Sequence, residues 1–247
     1  YSLAIAIGII IFVSCNSEGF NSKNSGGPDI GEGGSGKGGS LARFTISGNY
    51  LYTVDDNTLR VFDVSTPAVP NKIKETNPGF GIETIFANGN RLYLGTSTGM
   101  YIYDVSSPTS PVQKSFYNHI RSCDPVVAND TYAFVTLSTG SGCWSSTNEL
   151  QVVNIQSASY PYFVESYSMS NPKGLGLDGT TLFVCDQGLK VYDASDVYNL
   201  KLQHTFTIDA VDVIPLSGLL LVVGSSGIYE YSYTNGSVTL LSTLRTF

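Results

Sequence analysis

The stretch Leu59-Arg-Val-Phe-Asp-Val-Ser-Thr-Pro67 returns 41 residues further along the chain as Met100-Tyr-Ile-Tyr-Asp-Val-Ser-Ser-Pro108. Each copy is a short strand pattern of alternating character that ends in an acidic residue and a turn. Looser copies begin at Leu150, Leu189 and Ile228, after steps of 50, 39 and 39 residues. Self-similarity at a period of about 40 residues predicts a repeat architecture.

Four short strands fit into each repeat. The strand Leu51–Val54 precedes the quoted stretch and follows the turn signal Gly48-Asn49, while segments such as Ile82–Ala87 and Val112–Phe116 supply strands on either side. Four strands in about 40 residues are typical of a propeller blade, not of a helical solenoid or a leucine-rich repeat. We therefore predict an all-β fold, a five-bladed β-propeller of four-stranded antiparallel blades. A β-sandwich or an open array of blades is the alternative.

The predicted propeller covers residues 41–247 and begins with an inner strand near Ala42–Ser47. It ends with an outer strand near Val238–Leu244, so the ring would close without a strand shared between its two ends. The approximate blade limits are 41–77, 78–118, 119–169, 170–207 and 208–247.

The beginning of the chain predicts export. Leu3–Val13 is an uncharged run of 11 residues, too short to span a bilayer, which needs about 20 apolar residues. Phe12-Val-Ser-Cys15 resembles the lipobox of bacterial lipoproteins, in which a small residue precedes the lipidated cysteine. We predict a signal peptide at 1–14 and a lipid on Cys15 that anchors the protein in the bacterial cell envelope, at the outer membrane. A simple secretory peptide with an incidental cysteine is the alternative.

Residues 15–40 are predicted to form the lipidated cysteine and a disordered Gly/Ser linker. Asn16–Ser40 contains 9 Gly, 5 Ser and 3 Asn, a composition that cannot form a core of its own. A flexible coil of this length spans roughly 25–30 Å, enough to hold a domain clear of lipid headgroups.

Composition argues against several kinds of partner. The net charge is −7 and no run of Lys or Arg is interleaved with aromatic residues, so nucleic acid is not an expected partner. His119 and His204 lie far apart, and the four cysteines lack a C-x-x-C spacing. We therefore predict no metal site and no cofactor.

The two quoted segments carry a resemblance to a known family. Asp63-Val-Ser-Thr-Pro67 and Asp104-Val-Ser-Ser-Pro108 look like the LVIVD-repeat family of bacterial surface and secreted propellers. The motif is looser at Asp193-Ala-Ser-Asp and poor at Asn154 and Ser232. The resemblance implies a propeller fold and says little about activity.

Two kinds of residue are expected to be structural. Asp63, Asp104 and Asp193 each precede a turn, where a carboxylate that accepts hydrogen bonds from the following backbone ends the strand. We prefer this role to that of a cation-binding ring. Cys185 lies inside an apolar strand and is expected to be a buried free thiol.

Blade three differs from the others by about nine additional residues between its second and third strands. The insertion contains Cys143 and the only tryptophan, Trp144. It should lie on the same face of the propeller as Cys123, which makes a Cys123–Cys143 disulfide geometrically natural in an exported domain. The LVIVD-like resemblance strengthens this pairing.

This face is also the predicted binding face, because propellers recruit ligands with such loops. Trp144 either contacts a ligand there or only covers the disulfide. The residues expected on this face are Trp144, His119, Arg121, Asp124 and Lys173, together with Asp55, Asp56, Asp186, Asp209 and Asp212.

The sequence lacks a nucleophile elbow and an H-E-x-x-H motif. We therefore predict a binding or scaffolding module for a protein or glycan partner, monomeric and not an enzyme. The alternative is a propeller-type hydrolase or lyase that acts on carbohydrate, with a site assembled from scattered loops.

Overall fold

The computed structural model describes residues 38–119, 125–139, 147–234 and 236–245, and these ranges contain twenty strands. The strands form five separate sheets of four, each from consecutive strands paired antiparallel. Within the described ranges no helix is long and apolar enough to cross a bilayer. The five predicted four-stranded blades are confirmed, and none borrows a strand from the other end of the chain.

Within every blade the chain runs outward from an inner strand to an outer strand. Blade 1 holds β1 Phe44–Ser47, β2 Tyr50–Asp55, β3 Thr58–Asp63 and β4 Asn71–Thr76; blade 2 holds β5 Ile82–Asn88, β6 Arg91–Thr96, β7 Gly99–Asp104 and β8 Val112–Asn118; blade 3 holds β9 Val126–Ala128, β10 Tyr132–Leu137, β11 Glu149–Asn154 and β12 Tyr162–Ser168; blade 4 holds β13 Pro172–Asp178, β14 Thr181–Asp186, β15 Leu189–Asp193 and β16 Lys201–Phe206; blade 5 holds β17 Asp212–Leu216, β18 Leu219–Gly224, β19 Gly227–Thr234 and β20 Ser237–Arg245.

Two faces of the ring follow from this order. One side of the ring carries the short turns between first and second strands and the links between third and fourth strands. We call this side the turn face. The opposite side, the loop face, carries the links between second and third strands and between blades. The turns of the turn face use glycines with positive φ, such as Gly48 at 56°, Gly89 at 54° and Gly179 at 57°, a conformation that glycine adopts without steric cost.

The repeat is visible in a local irregularity as well. In all five blades the pairing of the third strand with the fourth shifts by one residue at an equivalent point, as between Val61 and Phe62 in blade 1. A β-bulge of this kind increases the local twist of a sheet. Blade 3 has the predicted insertion, since its second and third strands are joined by residues 138–148, nine residues more than the two-residue links of the other blades.

The acidic residues at the ends of the third strands are caps, as predicted. The carboxylates of Asp63, Asp104 and Asp193 accept hydrogen bonds of 2.8–2.9 Å from the backbone N–H two residues further on. The side chain and backbone of Ser106, followed by Lys114, lower the pKa of Asp104 to about 2. These bonds end each strand and start the turn that leads to the outer strand.

The core consists of apolar layers between neighbouring blades. Four buried clusters seal the interfaces between blades 1 and 2, 2 and 3, 3 and 4, and 4 and 5. The second strands of the middle blades are buried on both faces, with Tyr93 and Leu94 at 0% exposure and Phe134 at 1%. Each of the middle blades therefore needs both of its neighbours to bury its two faces.

The fifth interface, between blade 5 and blade 1, is different. Among the described residues no buried apolar cluster lies there. On the face of blade 1 directed away from blade 2, Phe44 is 57% exposed; on the corresponding face of blade 5, Leu216 and Ile228 are 39% and 37% exposed. We call this half-exposed interface the seam.

We expect a substitution at the seam to destabilise the fold less than a substitution at a sealed interface. Phe134→Ala should lower the free energy of unfolding by about 3–5 kcal/mol, because it empties a sealed interface. The matched change Phe44→Ala at the seam should lower it by less than about 1 kcal/mol, because most of that ring already contacts water. Urea unfolding of both variants would measure this. Equal losses would mean that the seam is closed in solution.

Candidate ligand site in the central channel

The predicted binding face is only partly described. Arg121, Cys123, Asp124, Cys143 and Trp144 lie outside the described residues, as does Cys15, so the disulfide, the lipid site and the role of the tryptophan stay predictions. His119 follows β8 and is half-buried, and its backbone N–H donates to Thr98 O at 3.2 Å. Lys173 lies exposed in β13.

Two acidic residues expected on the loop face are bonded to other parts of the fold. Asp186 has a fully buried side chain and binds Lys190 Nζ at 2.7 Å. It also accepts hydrogen bonds from the backbone N–H groups of Ser170 and Asn171. Asp186 therefore lies at the loop face, as expected, but its carboxylate is used within the fold, where it organises the loop that leads into β13.

Asp212 is also hydrogen-bonded within the fold. Its carboxylate accepts hydrogen bonds from Ser40 Oγ at 3.0 Å and from Leu41 N–H at 3.1 Å. Residues 38–40, which composition assigns to the linker, therefore lie in the folded unit, with Gly39 and Ser40 buried.

A cavity of about 240 Å³ runs along the axis of the ring. All five inner strands contribute to its wall, so it is the central channel of the propeller. Most of the wall is formed by small or apolar groups. The lining residues include Thr45 and Ser47 of β1, Ile85 and Asn88 of β5, Val127 and Ala128 of β9, Leu175 and Asp178 of β13, and Val213 and Pro215 of β17.

The two ends of the cavity differ. On the turn face it reaches the ends of the inner strands, where Ser47, Asn88, Asn129 and Asp178 supply polar groups. Towards the loop face it is lined by Gly38, and Ser40, two residues further on, is hydrogen-bonded to β13 and β17. The polar groups of the wall therefore gather at the turn-face end of the cavity, which we call the mouth.

Asp178 is the only carboxylate among the described residues that line the cavity. It accepts a hydrogen bond of 2.6 Å from the hydroxyl of Tyr233 in blade 5. Burial, followed by this bond, raises the pKa of Tyr233, so the phenol stays a proton donor at neutral pH. The pair places one negative charge at the mouth in a fixed orientation.

The rest of the mouth is held by similar bonds. Asn88 Nδ2 donates to Asp130 Oδ1 at 2.9 Å, across the interface between blades 2 and 3. Asn129 Oδ1 accepts from the backbone N–H groups of Thr131 and Tyr132. The rim is thus preorganised, which lowers the entropic cost of binding.

Metal binding finds no support in this part of the molecule. In the described ranges, no group of three or more His, Cys, Asp or Glu side chains is arranged to hold a metal ion. Cys185 is a buried free thiol, as predicted, and its burial raises its pKa.

Sequence reasoning placed the ligand over the mouth of the central channel on the loop face and missed the polar mouth on the turn face. Its only trace in the sequence is a small polar residue before glycine at the ends of several inner strands, as in Ser47-Gly48, Asn88-Gly89 and Asp178-Gly179. We interpreted these pairs as turns, which they are. Their common position around one mouth becomes visible only when the five blades are arranged in a ring.

Comparison with known families supports the repeat. The model of the LVIVD repeat matches residues 38–77 and 83–119, which are blade 1 and most of blade 2. The predicted resemblance is confirmed for those two blades. No curated protein is similar enough to the sequence to count as a relative.

Solved structures with a similar fold include bacterial proteins named for sugar-lactone hydrolysis. A periplasmic gluconolactonase from Pseudomonas aeruginosa shares 12% identity over 80% of this chain and 68% of its own, with a TM-score of 0.60. A candidate 6-phosphogluconolactonase from Bacteroides fragilis shares 13% identity over 81% and 68%, with a TM-score of 0.60. Another from Bacteroides uniformis shares 13% identity over 81% and 69%, with a TM-score of 0.63.

At these identities the similarity shows the fold alone. It nevertheless corrects the prediction that the chain is not an enzyme, because proteins named as gluconolactonases have this architecture. That prediction was wrong because it relied on missing local motifs. A site whose residues come from several blades leaves no such motif in the sequence.

We expect Asp186→Ala to lower the free energy of unfolding by about 2–4 kcal/mol, since it leaves the Lys190 ammonium and two N–H groups without their acceptor. Burial opposes ionisation of Asp186, but the bonds from Asn171, Lys190 and Ser170 outweigh it and lower its pKa. The stabilisation by Asp186 should therefore be complete above the pKa that this carboxyl has in the unfolded chain, about 3.9. It should be lost as the pH falls through the lower pKa of Asp186 in the folded protein. Urea unfolding from pH 7 to pH 3 measures both effects.

Asp56→Ala is the matched control, because this exposed carboxylate lies on the same face. A loss of stability in Asp186→Ala that stays constant down to pH 3 would contradict the assignment.

Proposed function

We propose that the protein binds a small sugar-derived ligand in its central channel, through the mouth on the turn face. The observation that carries this proposal is the cavity whose wall comes from all five inner strands and whose polar groups gather at one end. Ligand sites of proteins have this form, with an apolar wall and a few placed polar groups.

Size favours a ligand no larger than a single sugar unit. The cavity of about 240 Å³ is slightly smaller than the roughly 300–1,000 Å³ of sites for drug-sized ligands. Hydroxyl groups of a sugar match the mouth, since Ser47, Asn88 and Asp178 offer donors and acceptors close together. A longer glycan would extend beyond the mouth onto the turn face.

The position of the linker fits a display role. Gly38, near the end of the predicted linker, lines the channel towards the loop face. If Cys15 carries a lipid, as we propose, the leash would join the propeller on that side, away from the mouth. An exported protein anchored in this way would present its channel to ligands of the cell envelope.

Hydrolysis of a sugar lactone is the second candidate function. The similar folds named as gluconolactonases favour it, and Asp178 supplies a carboxylate at the mouth. As general base, this carboxylate would take a proton from water while the water oxygen attacks the lactone carbonyl. The ring C–O bond then breaks, and the leaving oxygen takes the proton back from Asp178 to give the open hydroxy acid.

Binding is tested with a variant that fills the mouth. Titrations with glucono-1,5-lactone, gluconate and glucose, followed by calorimetry, should show binding of at least one to the original protein. Ser47→Trp should weaken it by at least about tenfold, or 1.4 kcal/mol, because the indole occupies the mouth. Thr109→Trp, in an exposed turn on the same face, should bind normally. Equal affinity in the two variants would remove the channel as the site.

Hydrolysis is tested separately by following acid release from glucono-1,5-lactone against its spontaneous opening. If the protein is a lactonase, Asp178→Asn should reduce kcat by about 10²–10⁴-fold, the usual contribution of general acid–base catalysis, and retain gluconate binding. Tyr233→Phe removes the hydrogen bond but keeps the carboxylate, so its loss should be smaller. Full turnover in Asp178→Asn would reject the mechanism.

A further inference from the structure

Blade 5 differs from the other blades in how its third strand leads to its fourth. In blades 1 to 4 these two strands are joined by links of seven residues, which are 64–70, 105–111, 155–161 and 194–200. In blade 5, β19 ends at Thr234 and β20 begins at Ser237, so only two residues lie between them. The turn face of blade 5 is therefore shorter by most of a link.

In blades 2, 3 and 4 the seven-residue link packs against the preceding blade. Val105, in the link of blade 2, is buried in the apolar cluster between blades 1 and 2. Ala158 O, in the link of blade 3, accepts a hydrogen bond of 2.6 Å from Ser115 in blade 2. Val197 O, in the link of blade 4, accepts one of 2.7 Å from Tyr167 in blade 3. These links close the turn-face end of three interfaces between blades.

A second cavity, of about 160 Å³, lies between blades 4 and 5. We call it the side pocket. Its wall comes from the second, third and fourth strands of blade 4 and from the hairpin of β19 and β20 in blade 5, and it includes Thr181, Val191, Gln203, Tyr233, Ser237 and Val238. The side pocket thus occupies the interface that a seven-residue link of blade 5 would close, and the short turn explains why it exists.

The polar groups of the side pocket are neutral. Thr181 and Ser237 carry hydroxyl groups and Gln203 carries an amide, so each of them offers both a donor and an acceptor. Val191 and Val238 add apolar surface. Among the described residues that line the pocket, none carries a charged side chain. This combination matches an uncharged ligand that has several hydroxyl groups and an apolar face, such as a sugar ring.

The outer wall of the side pocket is held in place by the strand β16. Gln203 is the additional residue of the bulge in this strand, since Val191 pairs with His204 and Tyr192 with Leu202. A bulge changes the direction of a side chain relative to a regular strand. The ring of His204 is hydrogen-bonded to Gly236 O at 2.7 Å, so β16 is fixed to the turn between β19 and β20.

Tyr233 lies between the side pocket and the mouth of the channel. It lines the side pocket, and its hydroxyl donates to Asp178 at the mouth at 2.6 Å. Its ring packs edge-on against Phe183, with the ring centroids 5.0 Å apart. Thr181, on the other wall of the pocket, is paired with Asp178 across β13 and β14. The mouth and the side pocket are therefore neighbours on the turn face.

We propose that the side pocket is a second sugar subsite, so that the ligand consists of at least two linked units. The first unit lies at the mouth of the channel, and the second crosses Tyr233 into the side pocket, where Thr181 and Gln203 bind its hydroxyl groups. This inference rests on the proposed binding at the mouth. The side pocket takes one unit, because it is smaller than the channel cavity of about 240 Å³.

Calorimetric titrations with glucose, maltose and cellobiose test the proposal, since the two disaccharides join glucose units through α- and β-1,4 bonds. At least one disaccharide should bind the original protein at least about tenfold more tightly than glucose, because its second unit is tethered by the first. Gln203→Trp should reduce this affinity to that of glucose and leave glucose binding unchanged, since the indole fills the side pocket. Ile73→Trp, at the equivalent bulge of blade 1, is the matched control and should bind all three sugars normally.

NMR of the original protein gives a second measurement that does not depend on the stability of a variant. The side-chain amide signals of Gln203 should shift with the disaccharide and not with glucose. Equal affinity for glucose and both disaccharides would overturn the second subsite and leave binding at the mouth intact. Equal disaccharide affinity in Gln203→Trp and Ile73→Trp would overturn it as well. Disaccharide binding that is lost in Gln203→Trp but retained in Ser47→Trp would support the side pocket and reject the site at the mouth.

Discussion

Apolar contact between the faces of neighbouring sheets is the interaction on which this structure depends. A four-stranded blade has two apolar faces, and neither can be buried within the blade itself. In the middle blades both faces of the second strand are covered, with Leu92 and Tyr93 fully buried. Stacking around an axis provides a neighbour for each blade and leaves the inner edges of the sheets around a channel.

The five interfaces between blades are not held together in the same way. Four interfaces rest on buried apolar clusters, and the seam rests on hydrogen bonds to Asp212. The seam is therefore the interface that depends least on apolar burial.

The repeat and its strands could be predicted from the sequence because their causes are local. The alternation in Leu59–Asp63 and the turn after Asp104 depend on neighbours within a few residues. The polar mouth on the turn face, the contact between Ser40 and Asp212 and the seam could not be predicted in this way. Ser40 and Asp212 are 172 residues apart, and Ser40 lies in a segment whose composition is typical of a disordered linker. The burial of Asp186 could not be predicted either, because its acceptor role is set by a loop 15 residues away.

The two ends of the channel also differ chemically. Gly38 lines the cavity towards the loop face, whereas polar groups that could recognise a ligand, such as Asn88 and Asp178, lie at the turn face. Both side chains are held by hydrogen bonds that join two blades, Asn88 to Asp130 and Asp178 to Tyr233. The positions of these groups at the mouth therefore depend on how neighbouring blades pack, and a substitution in an apolar layer between blades would alter ligand recognition as well as stability.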